Sequence, residues 1–370
     1  MVMTDYLKLD YYKLKKFSED VFTGYGFTPD EAAIITDVLL RADLYGIESH
    51  GVQRLARYRK LIDAKSVDIH AKPEIVFETP VSAVIDGQSG MGQLIAYNAM
   101  KLAIDKAKNV GMACVTVRNS NHYGIAGYYS QMACDDGLIG VSMTNSAPIM
   151  VHTYAKAPIL GSNPIAVAMP AEPYPFYFDC ATTVVPRGKL EVYAKKEQPL
   201  PGEWALDEKG NVCFDGGYVN KNIGDKAGGG ILPLGGAGEM NGGHKGYGYA
   251  AICEIFTAIL SGGLTSNNHP HGPGHGTETC HFFMAINPGI FGDPGSIKES
   301  LNRLLDDLRN APKAEGQKRI YTHGEKEIEA AADRIANGID VNIKTFREMA
   351  DVCEILHMNL GDYFDTDCLA

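Results

Sequence analysis

The sequence predicts an α/β fold in which a mixed-sheet core is flanked by helices from both ends of the chain. Apolar residues recur at helical spacing in residues 1–73 and again in residues 297–370. Between them, in residues 74–296, short β-branched runs alternate with helical segments, which is typical of an α/β layer. These three segments are the predicted domains: an N-terminal helical region, a central α/β region, and C-terminal helices that pack back on the first region.

The N-terminal region contains three predicted helices. The first covers residues 9–22. The second begins at Thr28-Pro29-Asp30-Glu31, a capping box with proline at the first helical position, and ends near Gly46. The third should cover residues 52–64.

The central region alternates strands and helices. Short runs rich in β-branched or aromatic residues predict strands at residues 75–77, 81–85, 113–117, 139–143, 165–169, 176–178 and 282–286. A helix is predicted over residues 93–109, and a long apolar helix should follow His244. We expect that helix to turn its large apolar side chains inward, namely Ile252, Ile255, Phe256 and Ile259. The C-terminal helices should cover residues 297–308, 325–337 and 343–356.

Composition excludes several classes of protein. The chain has 370 residues, 45% of them hydrophobic, and 34 basic against 45 acidic residues give a net charge of −11. No basic run is dense enough to hold a phosphate backbone, so we expect no nucleic-acid partner. No apolar stretch reaches the roughly 20 residues of a membrane span, and residues 1–6 lack the features of a signal peptide. Eight cysteines without a Cys-x-x-Cys pair are typical of reduced thiols. We therefore expect a cytoplasmic protein.

A histidine follows one of the central strands in the motif Asn119-Ser120-Asn121-His122-Tyr123-Gly124. This places an imidazole at a strand-to-helix connection, where loop residues on a rigid scaffold often carry catalysis. Histidine is the side chain that gives and takes protons near neutral pH. His122 is therefore the first candidate for proton transfer, although a histidine in this position is also compatible with a purely structural role.

A second cluster of polar residues lies upstream and consists of Ser49, His50, Arg54 and Tyr58. His50, Arg54 and Tyr58 are spaced four residues apart, so a helix would place them on one face, with Ser49 at its N-terminal end. Arginine suits a small carboxylate because its planar fork donates two parallel hydrogen bonds. The alternative is a solvated helix face.

The glycine-rich segments argue against an ordinary Rossmann site. Residues 234–241 lack the third glycine of the dinucleotide fingerprint and the acidic residue beyond a following strand, and residues 87–92 fit a turn better. Residues 242–248 lead into a helix, where free amides and Lys245 could meet an anion. A packed helix start that needs small residues is the other interpretation.

A histidine-rich loop raises the possibility of a metal site. His269, His271 and His275 are followed by Cys280 and His281, which are the residue types that bind zinc. Their spacing matches no standard zinc pattern, and the density of glycine and proline indicates a surface loop. A metal-dependent enzyme built on this loop is kept as the alternative from another class, and a catalytically silent scaffold as a third possibility.

Several motifs together resemble the malate/L-lactate dehydrogenase family, which also includes ureidoglycolate dehydrogenases and cyclic imino acid reductases. The matching stretches, in chain order, are Ser49-His50-Gly51-Val52 with Arg54 and Tyr58, residues 118–124, Thr144-Asn145-Ser146, residues 161–164, residues 179–182, residues 187–189 and residues 244–248. The resemblance implies a non-Rossmann fold, NAD or NADP as cofactor, and a homodimer.

The resemblance also implies roles for individual residues. His122 looks like the proton-transfer residue, with His50 and Arg54 completing the catalytic group. Ser49, Arg54 and Tyr58 look like substrate-site residues. The cofactor-contacting positions would be Ser146, Asp179, Cys180, Ala181, Lys245, His323, Gly324 and Glu325. This chain has His323 where the family usually has proline in Pro-Gly-Glu.

The implied reaction is hydride transfer between NAD(P)H and a small 2-oxo acid. His122 would exchange the proton with the substrate oxygen, Arg54 would anchor the carboxylate, and His50 and Tyr58 would orient the carbonyl. Malate and oxaloacetate are the expected pair, followed by lactate, ureidoglycolate or a cyclic imino acid. A second carboxylate needs a further cation, for which Arg57 and Lys245 are the candidates. No metal is expected at this site.

Overall fold

The computed structural model describes residues 6–270 and 276–369, which form a mixed sheet enclosed by helices. The helices are α1 Tyr11–Gly24, α2 Pro29–Leu44, α3 Leu55–Asp63, α4 Gly92–Val110, α5 Gly127–Asp135, α6 Arg187–Lys195, α7 Gly216–Asp225, α8 Gly243–Glu254, α9 Pro294–Asn310, α10 Glu325–Asn337 and α11 Ile343–Leu356. The strands are β1 Tyr6–Leu9, β2 Glu74–Thr79, β3 Ser82–Asp86, β4 Met112–Ser120, β5 Ile139–Thr144, β6 Ile165–Met169, β7 Phe176–Cys180, β8 Ala205–Leu206, β9 Gly230–Ile231, β10 Thr279–Ile286 and β11 Ile339–Asn342.

The main sheet has seven described strands in the order β2-β3-β4-β10-β5-β6-β7. Only β3 and β4 pair in parallel, and every other neighbouring pair is antiparallel. This arrangement confirms the predicted mixed-sheet α/β class and differs from the all-parallel sheet of a doubly wound nucleotide-binding fold. The register places the ends of β4 and β5 beside the start of β10, because Ser120 pairs with Thr279 and Thr144 pairs with His281.

The two chain ends pack together on one side of this sheet. Strand β1 pairs antiparallel with β11, and one apolar core joins residues of α1 and α2, such as Phe17 and Ile35, to Phe346 of α11. Helices from both chain ends therefore flank the sheet, as predicted. The domain boundaries at residues 73 and 297 stay predictions. Among the described helices, none has the length and apolar character needed to cross a bilayer.

The predicted capping box at the start of α2 is present. The side chain of Glu31 accepts a hydrogen bond from the backbone N–H of Thr28 at 2.9 Å, and the Thr28 hydroxyl accepts one from the N–H of Glu31. Two other helix boundaries differ from the prediction. The first helix starts at Tyr11, because Asp10 caps it and the preceding residues pair as β1. The third begins only at Leu55, since two 3-10 turns precede it.

The predicted inward face of α8 is wrong for its three isoleucines. Ile252, Ile255 and Ile259 are 39%, 50% and 60% exposed, and Phe256 is 36% exposed. The helix instead buries its small residues, including Ala250 and Cys253, and a π-helical turn Ile255–Ile259 continues it. Small side chains let the helix backbone approach the sheet, so the three isoleucines point away, whereas the Phe256 ring packs edge-on against Phe282 of β10.

Candidate active site

A cavity of about 310 Å³ opens where β4 and β5 end and β10 begins. Residues from the 3-10 turns and α3 close its other side. The polar lining includes His50, Arg57, His122, Ser146, Ser162 and His269. Among the described lining residues there is no aspartate or glutamate, although the protein carries a net charge of −11. The cavity is therefore suited to an anionic ligand.

His122 lies immediately after β4 and is bound by Tyr58. The Tyr58 hydroxyl and His122 Nδ1 are hydrogen-bonded at 2.8 Å, and the backbone N–H of Gly124 lies 3.4 Å from the same nitrogen. The His50 ring stacks on the His122 ring with centroids 5.5 Å apart. Burial lowers the pKa of His122 well below 6.5, and the nearby positive charge of Arg57 lowers it further. The resting imidazole is therefore neutral at pH 7.

The loop that carries His122 is held by its asparagines. The Asn119 side chain donates to both carboxylate oxygens of Asp86, at 3.0 and 2.9 Å. The buried Asn121 side chain donates to the backbone carbonyls of residues 89 and 90 and accepts from the N–H of Thr277 at 3.0 Å. These polar residues fix the backbone that leads into His122, and the hydrogen bond to Tyr58 orients its ring.

His50 is placed by the turn Glu48–His50 rather than by a helix. Its Nδ1 is hydrogen-bonded to the Ser49 hydroxyl at 2.9 Å. Burial lowers the pKa of His50 to about 4, with Arg54 and Arg57 contributing. The following glycine is required, because a Cβ at Gly51 would lie 1.8 Å from the carboxylate of buried Asp43. That carboxylate accepts a hydrogen bond from the N–H of Val52 at 2.7 Å.

The two arginines of this region occupy different positions. Arg54 Nε donates to the backbone carbonyl of Ser49 at 2.5 Å, so one of its donors supports the His50 turn. Arg57 lines the cavity, whereas Arg54 does not. The four-residue spacing predicts a group of His50, Arg54 and Tyr58, with Arg57 as a candidate second cation. Arg57 directly precedes Tyr58, but it lies outside the four-residue spacing, so that spacing alone does not identify it as a site residue.

The opposite side of the cavity is formed by Asn145, Ser146 and Ser162, here called the Ser146 wall. The Ser146 hydroxyl accepts a hydrogen bond from the N–H of Ser162 at 3.1 Å, and the Ser146 N–H donates to the buried side chain of Asn163 at 3.2 Å. A Cβ at Gly161 would lie 2.3 Å from the Ser146 hydroxyl oxygen. Ser146 is the predicted cofactor residue that the structure brings beside His122.

Other predicted cofactor positions lie outside the cavity lining. Asp179, on β7, accepts a hydrogen bond from the N–H of Gly127 at the start of α5 at 2.7 Å, and burial raises its pKa to about 6. The Cys180 thiol donates to the carbonyl of Ala181 at 3.0 Å. Lys245 is exposed in the first turn of α8.

The motif His323-Gly324-Glu325 lies beside β7. The His323 carbonyl accepts from the N–H of Tyr177 at 3.1 Å, and Gly324 has a φ of +102°, close to the Tyr177 side chain. The buried Glu325 carboxylate accepts from Arg309 at 2.5 Å and from Arg319 at 2.6 Å. Burial alone would raise its pKa, but these bonds hold the pKa of Glu325 at about 2.

The histidine-rich loop is divided by the fold. His281 and Cys280 belong to β10 and are buried, not part of a surface loop. The His281 ring is hydrogen-bonded to Thr144 at 2.8 Å and to Ser120 at 2.9 Å, and it stacks on Tyr123. His269 lines the cavity, and His271 and His275 lie outside the described residues. Within residues 6–270 and 276–369, no group of three potential metal ligands is assembled.

Comparisons with known proteins show which family the chain resembles. A family model described as malate/L-lactate dehydrogenase matches residues 9–350. The chain is 42% identical over 350 residues to the malate dehydrogenase of Pyrococcus horikoshii, covering 95% of this chain and 96% of that protein. It is 37% identical over 356 residues to the L-sulfolactate dehydrogenase of Methanocaldococcus jannaschii, covering 95% and 98%.

A solved structure gives the same result. The crystal structure of malate dehydrogenase from Entamoeba histolytica matches with a TM-score of 0.92 at 35% identity, covering 96% of this chain and 99% of that chain. These likenesses do not favour the metal-dependent alternative. The chain belongs to the malate/L-lactate dehydrogenase family.

Proposed function

We propose that the protein catalyses reversible hydride transfer between a nicotinamide cofactor and the C2 carbon of a small 2-hydroxy acid, with malate and oxaloacetate as the preferred pair. Membership of the family makes the protein an oxidoreductase of 2-hydroxy acids. The observation that carries the rest is the Tyr58–His122 hydrogen bond beside a cavity whose described lining holds Arg57 and no carboxylate.

Dehydrogenases of this family use nicotinamide cofactors, and the residues around the cavity fit one. The volume of about 310 Å³ suits a small acid together with the nicotinamide end of a dinucleotide. The Ser146 wall offers the hydroxyl groups of Ser146 and Ser162 for the nicotinamide side. When bound, the cofactor supplies or accepts the hydride. We propose that the cofactor is NAD or NADP and that Ser146 contacts its nicotinamide end. The further proposed contacts are Asp179, Cys180, Ala181, Lys245, His323, Gly324 and Glu325.

His122 is proposed to move the proton. Its Nδ1 is engaged by Tyr58, which leaves Nε2 to exchange a proton with the substrate oxygen. In the oxidative direction, the neutral imidazole takes the proton from the C2 hydroxyl. In the reductive direction, the imidazolium returns it to the carbonyl oxygen. Nδ1 keeps its own proton in both directions, so the Tyr58 hydroxyl accepts a hydrogen bond from it while Nε2 gains or loses the transferred proton.

The arginines are proposed to hold the acid. Arg54 retains its terminal nitrogens for the carboxylate next to C2, while its Nε holds the Ser49 carbonyl. Arg57 would meet a second acidic group, which is a carboxylate in malate and a sulfonate in sulfolactate. Arg57 lines the cavity on the same side as His50, whereas Lys245 is exposed in the first turn of α8, so Arg57 is the better candidate for this contact. His50 would orient the substrate oxygen, supported by Ser49.

A substrate panel tests this proposal. NADH and NADPH oxidation are followed with oxaloacetate, pyruvate and a cyclic imino acid. We expect oxaloacetate to give a kcat/KM at least about tenfold above that of pyruvate, because only oxaloacetate offers Arg57 a second carboxylate. A preference for pyruvate would overturn the malate assignment. No turnover with any of these or related 2-oxo acids would overturn the hydride-transfer proposal itself.

We propose further that the protein is a cytoplasmic homodimer. The exposed apolar face of α8 and its π-turn supports a partner surface, since Ile255 and Ile259 are at least half exposed. The eight cysteines support a reducing compartment, because none is paired in a disulfide. Analytical ultracentrifugation tests the dimer, and a species with the mass of one chain at micromolar concentration would contradict it.

A further inference from the structure

Glu254 is a buried carboxylate that the proposed reaction does not use. It is the last residue of α8, directly before the π-turn Ile255–Ile259, and only 6% of it is exposed. Among the described residues, no lysine, arginine or histidine forms an ion pair with it. A carboxylate buried without a cation is costly unless hydrogen bonds compensate it, so its partners are informative.

Hydrogen-bond donors from three separate segments converge on Glu254. The side chain of Asn163 donates to Oε1 at 2.8 Å, and the Ser266 hydroxyl is hydrogen-bonded to the same oxygen. The side chain of Asn145 donates to Oε2 at 3.3 Å, and the N–H of Ser266 donates to it at 3.2 Å. Both oxygens are thus engaged by hydrogen-bond donors, which compensate the burial of this side chain.

Each of these partners carries part of the Ser146 wall. Asn145 lines the cavity itself, and its side-chain oxygen accepts from the N–H of Cys280 at 2.8 Å. Asn163 accepts the N–H of Ser146, and it has a φ of +33°, which is unfavourable for a residue other than glycine. A residue with a positive φ needs surrounding contacts that hold its backbone in that conformation. The hydrogen bond from Asn163 to Glu254 is one of these contacts.

The third segment links Glu254 to His269 in the cavity lining. The Ser266 hydroxyl accepts from the N–H of Gly161, directly before Ser162 of the wall. The Ser266 carbonyl accepts from the N–H of His269, which lines the cavity. One carboxylate therefore ties together the segment after β5, the segment before β6 and the segment after the π-turn.

We propose that Glu254 is a positioning residue that fixes the Ser146 wall in the geometry that binds the nicotinamide end of the cofactor. The inference rests on the proposed function, since it assigns this wall to the cofactor rather than to the acid. Glu254 itself is proposed to contact neither the cofactor nor the acid substrate. The residues of the opposite side, His50, Arg57 and His122, share none of its hydrogen bonds.

Glu254→Gln tests this role with little change of size. The amide would present a donor to Asn163 or Asn145, leaving a buried donor without an acceptor. We expect the dissociation constants of NADH or NADPH, measured by the fluorescence of the reduced nicotinamide, to rise at least about tenfold. We expect the KM for the acid, measured at saturating cofactor, to change less than about threefold, because the acid-binding side is untouched.

Asp20→Asn is the matched control. It is the same chemical change at a carboxylate that Lys16 and Tyr363 bind at 2.6 and 2.7 Å, away from the cavity. This control should leave the cofactor dissociation constant unchanged. If Glu254→Gln does not fold, Ser266→Ala removes one hydroxyl from the carboxylate, and it should raise the cofactor dissociation constant about threefold.

The possible outcomes separate the inference from the proposed function. A folded Glu254→Gln variant with the wild-type cofactor dissociation constant would overturn the positioning role. So would a lower melting temperature and a smaller active fraction without a change in cofactor affinity, because a purely structural residue gives that pattern. If Glu254→Gln does not fold, an unchanged constant in Ser266→Ala would also overturn the role. A wild-type protein that binds neither NADH nor NADPH would instead overturn the proposed function.

Discussion

The Tyr58 hydroxyl lies 2.8 Å from Nδ1 of His122, although 64 residues separate the two in the sequence. Tyr58 is 1% exposed, and burial raises its pKa to about 12, so it stays a neutral phenol at physiological pH. A neutral hydroxyl can accept a hydrogen bond from Nδ1–H in both protonation states of the imidazole. This contact joins α3 to the end of β4 and fixes the imidazole that we propose to transfer the proton.

Replacing His122 should abolish turnover while leaving the cofactor bound. Because the proposed proton transfer contributes factors of about 10²–10⁴, His122→Ala should lower kcat at least about a hundredfold. NADH binding, measured by fluorescence, should change little. His70→Ala, at an exposed position outside the cavity lining, is the control and should keep wild-type kcat. A His122→Ala enzyme with near-normal kcat would exclude the proton-transfer role.

Removing only the Tyr58 hydroxyl should slow the reaction without unfolding the protein. Tyr58→Phe leaves the buried ring in place but frees His122 Nδ1, and we expect kcat to fall about tenfold. Tyr363→Phe removes a comparable hydrogen bond, 2.7 Å to Asp20, away from the cavity. That control should keep its kcat. Equal rates in wild type and Tyr58→Phe would show that the contact is not used in catalysis.

The lowered pKa of His122 predicts a direction for the pH dependence. Malate oxidation needs the neutral imidazole, so its kcat/KM should be full above that pKa and fall only as the pH drops through it, below 6.5. Oxaloacetate reduction needs the imidazolium, so its kcat/KM should decrease as the pH rises through the same value.

Arg57→Met tests the cause of this shift. The variant removes a positive charge that lowers the pKa of His122, so the acid limb of malate oxidation should move to higher pH. The measurement is kcat/KM from about pH 4 to 9, the range that spans the ordinary histidine pKa. An acid limb at the same pH in both proteins would contradict the electrostatic coupling.

Arg54 should matter for substrate affinity and for rate. Its guanidinium supports Ser49 through Nε and is proposed to hold the carboxylate beside C2. We expect Arg54→Ala to lower kcat/KM for oxaloacetate at least about tenfold. Arg59→Ala, on the same helix but paired with Asp63, is the control and should change it less than about twofold. An unchanged kcat/KM in Arg54→Ala would remove this anchor.

Local signals in the sequence predicted the parts of the fold that depend on neighbouring residues. The capping box of Thr28 and Glu31 is present because both partners lie within one helical turn. The alternation of strands and helices gave the α/β class, and ordered motifs gave the family. These features need no knowledge of distant contacts.

Other features depend on tertiary packing and could not be predicted from spacing. The apolar period of α8 indicated a buried face but not which side the sheet would accept, and the small Ala250 and Cys253 are the residues that pack. Helical spacing joined His50 to Tyr58, whereas a 3-10 turn holds His50. Asn145 and Asn163 converge on Glu254 from 109 and 91 residues away in the sequence, which no local pattern connects.

The most direct test of the proposed chemistry is isotope transfer from the cofactor. Oxaloacetate is reduced with NADH or NADPH that carries deuterium at nicotinamide C4, on one face at a time, and the product is examined by mass spectrometry and NMR. Direct hydride transfer predicts malate with one deuterium, located at C2, from one face of the cofactor only. Malate without deuterium from either face, or no malate at all, would contradict it.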